Sequence, residues 1–447
     1  MELDIINILI IISVLLIILE YKNTRNNIFY FFLILVVGFY LVNTNVFSSS
    51  LFSLEPWKLI FIILIFGITF IISGLIKEKT FDVLTLIILV FLGSIILIIS
   101  DNLITIYLGL ELQTFSTFIL IAKNRLSIKS SEAGLKYFIL GALSSGFYLL
   151  GLTILLLTGF SLDIKDILLF SNNYLSLISI SLFTLSFCFK LSLFPLHFWI
   201  PDIYEGSSWD IISLISTLPK ISVISVITQL LISTGMLIGF SILSIIIGTI
   251  GSLNQTKFKR LLGYSGISHM GFILLGFSLL NKQGFMVSNI YLLVYMLTMI
   301  SLLILVIRLN FNTKYIIELG SIKFINKIFA VTLSLLILSI AGIPPLSGFI
   351  SKWLLLQSTI DIYYNIVSFV IILFSAIGAG YYLRIVKIIY FQKKASYFVW
   401  KSIMESGKSN DKLNFVILGF LFFVALFLIF NFSFIIDLVN VYSTNIF

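Results

Sequence analysis

Residues 189–202 read FKLSLFPLHFWIPD, an apolar stretch that contains Lys190 and the prolines Pro195 and Pro201. A proline inside a helix removes a backbone hydrogen bond and breaks or kinks the helix. A second stretch of this kind, AGIPPLSGFISKW, covers residues 341–353. Both lie in segments long and apolar enough to cross a bilayer, so we predict two broken membrane helices, a feature typical of transport sites.

The composition around these stretches is that of a polytopic membrane protein. The chain has 447 residues, 60% hydrophobic and 11% charged, with a mean hydropathy of +1.16, whereas a soluble domain is about 25% charged. The single cysteine, Cys188, excludes an intrachain disulfide and provides no ligand set for a cysteine-held zinc or iron–sulfur centre. No phosphate-binding glycine motif is present, so we expect no nucleotide site in this chain.

Apolar segments of about 20 residues predict an all-α chain with about 14 transmembrane helices. Of the 28 Lys and Arg residues, 22 fall in odd-numbered loops, three in even-numbered loops and three within spans. By the positive-inside rule, both termini face the non-cytoplasmic side, and the net charge reflects topology rather than nucleic-acid binding. The predicted spans are 4–20, 28–44, 57–76, 81–99, 102–122, 133–158, 176–200, 208–232, 237–253, 260–280, 284–307, 327–359, 363–390 and 413–436.

The two broken spans suggest how the chain is organised. They are the seventh and the twelfth, an odd number apart, so units that begin at spans four and nine would have inverted topology. The seventh loop departs from the charge pattern because it is acidic, with Asp202, Glu205 and Asp210. We expect these side chains to be solvated or to face another subunit, with proton collection as the alternative. The predicted parts are an N-terminal three-helix segment (1–80), a first five-helix unit (81–232), a second inverted five-helix unit (237–390), and a polar linker with a C-terminal helix (391–447).

Four charged residues lie within these apolar spans: Glu111, Lys190, Lys220 and Lys352. A charge near the bilayer centre costs at least about 2.5–3.5 kcal/mol, and such residues usually serve ion or proton movement. Burial disfavours the charged form of a lysine, which makes it a candidate proton carrier. Two alternatives remain open: a permanent structural pair between Glu111 and a lysine, and a Lys352 side chain that reaches back to the membrane surface.

Two histidines, His197 and His269, complete the candidate groups. They lie in different spans, so we expect no metal site. His269 is flanked by hydroxyl residues, and a histidine among hydroxyls is able to relay protons, although packing is the alternative for both histidines. The small residues of GALSSG at 141–146 have the spacing that allows close helix approach, and we predict helix packing there.

At these residues the sequence resembles a known family. SEAGLKYF at 131–138 with GALSSG, the stretch 189–206 ending in PDIYEG, residues 255–271 and residues 342–353 resemble the subunit 2 family of respiratory complex I (NADH:ubiquinone oxidoreductase) and the wider family of Mrp-type antiporter subunits. The stretch around His197 is specific to the wider family. The choice of subunit 2 depends mainly on EAGLKYF and GALSSG.

The resemblance implies a fourteen-helix core with two inverted five-helix units. It also implies a Glu on helix five, lysines on helices seven and eight, and a charged residue on helix twelve. Glu111, Lys190, Lys220 and Lys352 fit those places, but Lys190 precedes its break whereas Lys352 follows its own. The predicted proton-relay groups are Glu111, Lys190, Lys220, Lys352, His269 and His197.

The function implied by the resemblance is that of a proton-translocating membrane-arm subunit, coupled to electron transfer in other subunits. NADH, FMN, Fe–S clusters and ubiquinone would bind those other subunits, so this chain would belong to an oxidoreductase without redox catalysis of its own. Its partners would be other membrane-arm subunits and membrane lipids, not nucleic acid. Its place would be the mitochondrial inner membrane, with both termini toward the intermembrane space. A structural or assembly subunit that pumps nothing, and a free-standing Mrp-type cation/proton antiporter subunit, are the alternatives.

Overall fold

The computed structural model is helical in most of the residues that it describes. Predicted spans 4–20 and 28–44 lie outside these residues, and so does the polar linker from residue 392 onward. Only residues 419 and 422 of span 413–436 are included. The described residues are 51–53, 55–76, 80–124, 126–159, 161–164, 174–230, 234–308, 314–325, 327–391, 419 and 422.

The described helices follow the predicted spans closely. Ten helical segments are long and apolar enough to cross a membrane within the described residues, with α7 and α8 counted together, and α13 is a shorter apolar helix. A 3₁₀ helix, Ile316–Ser321, precedes α12. In chain order the α-helices are α1 (Pro56–Leu75), α2 (Phe81–Ile99), α3 (Leu103–Ile121), α4 (Ile128–Leu157), α5 (Tyr174–Leu191), α6 (Trp199–Gly206), α7 (Trp209–Ile215), α8 (Leu218–Leu230), α9 (Thr234–Leu253), α10 (Phe258–Ser278), α11 (Lys282–Arg308), α12 (Ile322–Ile325), α13 (Lys327–Ala341), α14 (Ser347–Asp361) and α15 (Asn365–Phe391).

The chain divides into two compact units. The first comprises Met1–Leu191 and Gly206–Ile232, and the second comprises Ser192–Glu205 and Ser233–Phe447. In the first unit, α3 packs against α2 and α4, and α8 packs against α2 and α5. In the second unit, α9 packs against α10 and α15, and α11 packs against α14. The inverted relationship between residues 81–232 and 237–390 stays a prediction.

Helix interruptions occur at both predicted places. α5 ends at Leu191 and α6 begins at Trp199, and α13 ends at Ala341 before α14 begins at Ser347. The prolines in these gaps lack the N–H that a continuing helix needs. A third interruption was not predicted. It divides the predicted span 208–232 into α7 and α8, just before Pro219.

Many serine and threonine hydroxyls in the apolar helices donate to a carbonyl of the preceding turn. Ser186 Oγ donates to the carbonyl of Phe183 over 2.7 Å, and Ser225 Oγ donates to that of Ser222 over 2.6 Å. This bond to the preceding turn lets serine and threonine lie in buried helices without a distant partner. The many serines of the chain are therefore compatible with membrane-spanning helices.

Two acidic residues of the seventh loop form ion pairs in the second unit. Glu205 Oε1 lies 2.6 Å from Lys257 Nζ, and Arg260 Nη1 lies 3.3 Å from both Glu205 and Asp202. Asp202 and Glu205 are therefore ion-paired within the chain, with side chains that stay 31% and 16% exposed. Contact of these side chains with another subunit stays a prediction. Their charges are paired with the basic residues at the start of α10, which accounts for acidic residues in an otherwise basic set of loops.

Candidate functional site

The first candidate group lies where α3, α4 and α5 meet. Asn102 caps α3, since its side chain accepts a hydrogen bond from the backbone N–H of Ile104 over 2.9 Å, and Glu111 lies near the middle of this helix. Lys190 lies in the last turn of α5 and is 5% exposed. Its ammonium donates to the carbonyl of Leu110 over 3.3 Å, which brings it beside the turn that carries Glu111.

Glu111 and Lys190 face a common cavity of about 10 Å³, which is near the smallest volume that holds one ordered water. Thr114 Oγ1 donates to Glu111 Oε2 over 3.1 Å. The two charged groups interact electrostatically, but they are not among the direct ion pairs of the described residues. The arrangement therefore differs from a closed salt bridge and leaves room for a water-sized link. The hydroxyls that line the cavity include those of Ser144, Tyr148 and Ser186.

Gly141, Ser144 and Ser145 form part of this cavity wall. A Cβ added at Gly141 would make only ordinary contact, 3.8 Å from the Phe189 ring, and one at Gly146 would meet nothing within 4 Å. The close approach in α4 occurs at Gly151, where an added Cβ would lie 2.9 Å from the Phe183 ring. Helix packing therefore occurs at Gly141, against Phe189 of α5, whereas the closest approach of the two helices is at Gly151.

Lys220 is buried completely at the start of α8, directly after Pro219. Gln113 Nε2 donates to Ser222 Oγ over 2.9 Å, and this bond ties α3 to the turn of α8 that carries Lys220. Since α8 also packs against α5, the first unit holds Glu111, Lys190 and Lys220 on helices that touch one another.

In the second unit, the ammonium of Lys352 turns toward the helix break. Its Nζ donates to the carbonyl of Ala341 over 2.7 Å and lies 5.8 Å from the centre of the Phe272 ring. Ala341 is the last residue of α13, and a helix C-terminus carries partial negative charge that favours a cation. The Lys352 side chain therefore bridges the gap between α13 and α14 by a hydrogen bond to Ala341. It does not extend toward the membrane surface, as the alternative required.

We expect Gly342→Ala to lower stability by about 2 kcal/mol, because left-handed strain and displacement of the ammonium act together. Gly342 has φ +79°, and an added Cβ would lie 2.8 Å from Lys352 Cδ and 3.1 Å from Nζ. Gly159→Ala is a matched control, since Gly159 has φ +78° but nothing lies within 4 Å of an added Cβ. Thermal unfolding of the assembled chain measures both. Equal losses would show that the contact with Lys352 contributes nothing.

His269 is held by tyrosines at both ring nitrogens. Its Nδ1 lies 2.9 Å from Tyr291 Oη and its Nε2 lies 3.2 Å from Tyr382 Oη. The ring is 4% exposed and stacks on Tyr295 with centroids 5.0 Å apart. The tautomer decides which hydroxyl donates to the ring. These tyrosines were missed in the sequence, since Tyr382 is 113 residues away from His269.

A second cavity adjoins this histidine. It measures about 10 Å³ and is lined by His269 and Tyr291 together with three hydroxyl residues of the second unit, Thr298, Ser339 and Ser351. Among the described residues, each of the two units therefore contains a small cavity that combines a titratable side chain with several hydroxyls.

His197 lies in the gap after α5 and is 4% exposed. Its ring lies 4.1 Å from that of Phe198 and 6.2 Å from that of Phe194, measured between centroids. These surroundings favour the packing alternative for His197. The relay role predicted for it stays a prediction.

A buried ion pair joins α1 to the start of α3. Lys58 is 1% exposed, with its Nζ 2.6 Å from Asp101 Oδ1 and 2.7 Å from Ser53 Oγ. Asp101 lies 43 residues away along the chain, so no local signal linked the two. Within the described part of the chain, no group of three or more His, Cys, Asp or Glu residues is placed to hold a metal ion.

Comparison with known proteins adds a decisive observation. Residues 100–378 match the family described as NADH:quinone oxidoreductase/Mrp antiporter, transmembrane. This range is more than half of the chain and contains all six predicted relay residues. The chain belongs to this family. The family-level resemblance inferred from the sequence is thereby confirmed.

Individual members of the NADH:quinone oxidoreductase/Mrp antiporter family are similar over most of the chain. NADH-ubiquinone oxidoreductase chain 2 of Metridium senile is 37% identical over 366 residues, which cover 79% of this chain and 95% of that protein. NADH-quinone oxidoreductase subunit N of Thioalkalivibrio sulfidiphilus is 37% identical over 325 residues, which cover 68% of this chain and 67% of that protein.

Two solved structures share the fold of this chain. A chain of respiratory complex I from Thermus thermophilus matches with a TM-score of 0.78 at 23% identity, over 94% of this chain and 98% of that chain. A chain of the Mrp complex from Dietzia matches with a TM-score of 0.82 at 16% identity, over 98% of this chain and 93% of that chain. The all-α membrane fold predicted from the sequence is confirmed at this level.

Proposed function

We propose that this chain is a proton-translocating membrane-arm subunit of respiratory complex I. The observation that carries the proposal is the cavity shared by Glu111 and Lys190, where a carboxylate, an ammonium and several hydroxyls surround a water-sized space. Membership of the family, together with the names of the chain 2 and subunit N relatives, supports the assignment to complex I.

The proposed mechanism starts at this cavity. A nearby carboxylate favours the charged ammonium of Lys190, because two unit charges about 5 Å apart attract by about 3 kcal/mol at an effective dielectric constant of about 20. Electron transfer in other subunits would shift Glu111 or its field, and Lys190 would then release its proton. Lys220 would be the next carrier in the first unit, and Lys352 with His269 would serve in the second.

The chain would act within a larger complex in a membrane. NADH, FMN, Fe–S clusters and ubiquinone would bind to other subunits, and this chain would carry no redox chemistry itself. Its partners would be other membrane-arm subunits and lipids. The relative from Metridium senile supports a mitochondrial inner membrane location, and the distribution of basic residues supports termini that face the intermembrane space.

Replacing Glu111 by glutamine is the direct test. We expect Glu111→Gln to lower proton transfer per electron about tenfold at this subunit, because the neutral amide no longer stabilises the ammonium. The measurement is proton uptake against NADH oxidation by the intact complex in sealed vesicles. Glu132→Gln is the matched control, since Glu132 pairs with Lys136 at 2.6 Å on the exposed start of α4.

The possible results distinguish a proton-pumping subunit, a scaffold subunit and a free-standing antiporter subunit. Undiminished pumping in both Glu111→Gln and Lys190→Met complexes would reject the proposal. Unchanged pumping per electron with reduced assembly would indicate a scaffold subunit. Sodium/proton exchange by the isolated full-length chain in vesicles would indicate a free-standing antiporter.

A further inference from the structure

Gln113 is a buried amide on α3 that the proposed relay does not use. It is 1% exposed and lies two residues after Glu111. Residues two apart on a helix face different sides. Glu111 accordingly faces the cavity shared with Lys190, whereas Gln113 Nε2 donates to Ser222 Oγ of α8 over 2.9 Å. One helix therefore presents a carboxylate to one neighbour and an amide to another.

The hydrogen bond from Gln113 reaches the first turn of α8. This turn follows the interruption between α7 and α8, and it contains Lys220 directly after Pro219. Pro219 has no backbone N–H that could hold the turn. Ser222 Oγ donates to the carbonyls of Leu218 and Pro219 over 3.2 and 3.1 Å. Gln113 therefore anchors the turn of Lys220 to α3 through the Ser222 hydroxyl.

The aliphatic part of the Gln113 side chain is held by α2. A Cβ added at Gly93 would lie 2.9 Å from Gln113 Cγ and 3.0 Å from the carbonyl oxygen of Gly109. α2 and α3 therefore approach closely at this level, and the Gln113 side chain has little room to turn away from Ser222. Side chains that are locked by packing in this way are suited to hold a functional group in place.

Packing does not explain why position 113 is an amide. The single hydroxyl hydrogen of Ser222 goes to the carbonyls of its own helix, so Ser222 Oγ accepts from Gln113 Nε2. Gln113 Oε1 is buried and has no hydrogen-bond partner among the described residues. Such an acceptor lowers stability. Leucine would fill a similar volume without this cost, and the bond to Ser222 is what the amide adds.

A second glutamine of the same unit has the same kind of contact at a different place. Gln229 lies on α8, and its Nε2 donates to the carbonyl of Ile98 on α2 over 3.2 Å. Its Oε1 is likewise buried without a partner in the described part of the chain. Gln229 follows Lys220 by about 13 Å along the helix axis. The two glutamines therefore match in chemistry, but only Gln113 is bonded to the turn of Lys220.

We propose that Gln113 is a positioning residue for proton transfer by Lys220. By holding Ser222, it fixes the first turn of α8 against the helix that carries Glu111, and the Lys220 ammonium keeps a constant place relative to that helix. This inference rests on the proposed function. It adds a residue that acts through the placement of Lys220 and carries no proton itself.

Gln113→Leu tests the proposal, because it removes both polar ends of the side chain and keeps a similar volume. We expect proton transfer per electron at this subunit to fall about tenfold in the intact complex in sealed vesicles, since a misplaced proton carrier transfers slowly. Thermal unfolding should stay unchanged, because a hydrogen bond and an unpaired acceptor are lost together. Gln229→Leu is the matched control and should pump normally.

Ser222→Ala shows whether Gln113 acts through this hydroxyl. We expect the same loss of pumping, and the double variant with Gln113→Leu should lose no more than either single one, because residues that act as a unit are non-additive. The solvent deuterium isotope effect on pumping should rise in all three variants, since the proton step becomes slower. A purely structural defect would lower the amount of assembled complex and leave this isotope effect unchanged.

Three results would overturn the role of Gln113. They are normal pumping in Gln113→Leu, an equal loss in Gln229→Leu, and a loss that accompanies lower thermal stability with an unchanged isotope effect. Reduced pumping in Glu111→Gln with normal pumping in Gln113→Leu would reject this role and leave the proposed function standing. Normal pumping in both Glu111→Gln and Lys190→Met would reject the proposed function, and the role of Gln113 with it.

Discussion

Asp101→Leu is expected to lower the stability of the assembled chain by about 3–5 kcal/mol, since it removes one partner of a buried ion pair and leaves the other charge behind. Lys58 and Asp101 are 2.6 Å apart, with side chains 1% and 16% exposed. The ammonium cannot reach bulk water without opening the contact between the start of α1 and the start of α3. Thermal unfolding of the purified complex, followed through this subunit, measures the loss.

Two further variants distinguish the loss of a buried ion pair from a general effect of removing a charge. The double change Lys58→Met with Asp101→Leu should regain most of the loss, because an apolar pair often replaces a buried ion pair without cost. Glu132→Gln should change stability by less than about 0.5 kcal/mol, since its pair with Lys136 is 57% and 40% exposed. A double variant as unstable as Asp101→Leu, or an equal loss in Glu132→Gln, would contradict the assigned role of the pair.

Gly248→Ala is expected to cost about 3 kcal/mol through overpacking between α9 and α10. An added Cβ would lie 2.5 Å from the backbone nitrogen of Ser268 and 2.9 Å from the carbonyl oxygen of Tyr264. Backbone atoms cannot rotate away as a side chain does, so the two helices would have to separate. The separation would also move His269, which directly follows Ser268, and proton transfer should fall together with stability.

Gly146→Ala is the matched control for this change. It makes the same substitution within a helix, but nothing lies within 4 Å of the added Cβ. Alanine is a better helix former than glycine by about 1 kcal/mol, so this variant should be neutral or slightly more stable. A loss in Gly146→Ala equal to that in Gly248→Ala would show that the effect does not arise from the contact with α10.

The sequence alone was sufficient for the features that depend on local chemistry. Prolines predicted the breaks around residues 192–198 and 342–346, because a missing N–H interrupts a helix whatever surrounds it. Apolar length predicted the described helices between Pro56 and Phe391. Charges within apolar segments identified Glu111 and Lys190, which the fold then brought to one cavity.

Pairwise contacts were decided only by the tertiary structure. The small residues at 141–146 had the spacing for close packing, yet the close approach is at Gly151, because steric permission does not select a neighbour. The pairing of Lys58 with Asp101 and the tyrosines around His269 join residues far apart in the chain. Hydrophobic periodicity carries no information about such pairs.

The sequence by itself therefore determined where helices break and which spans contain charges, since both follow from covalent chemistry and from the energetic cost of a charge in an apolar setting. The tertiary structure alone decided that Lys352 donates a hydrogen bond to the carbonyl of Ala341 across the helix break. It also decided that His269 lies beside two tyrosine hydroxyls. Hydrogen bonds act over about 3 Å, so they depend on how the helices pack and not on residue spacing along the chain.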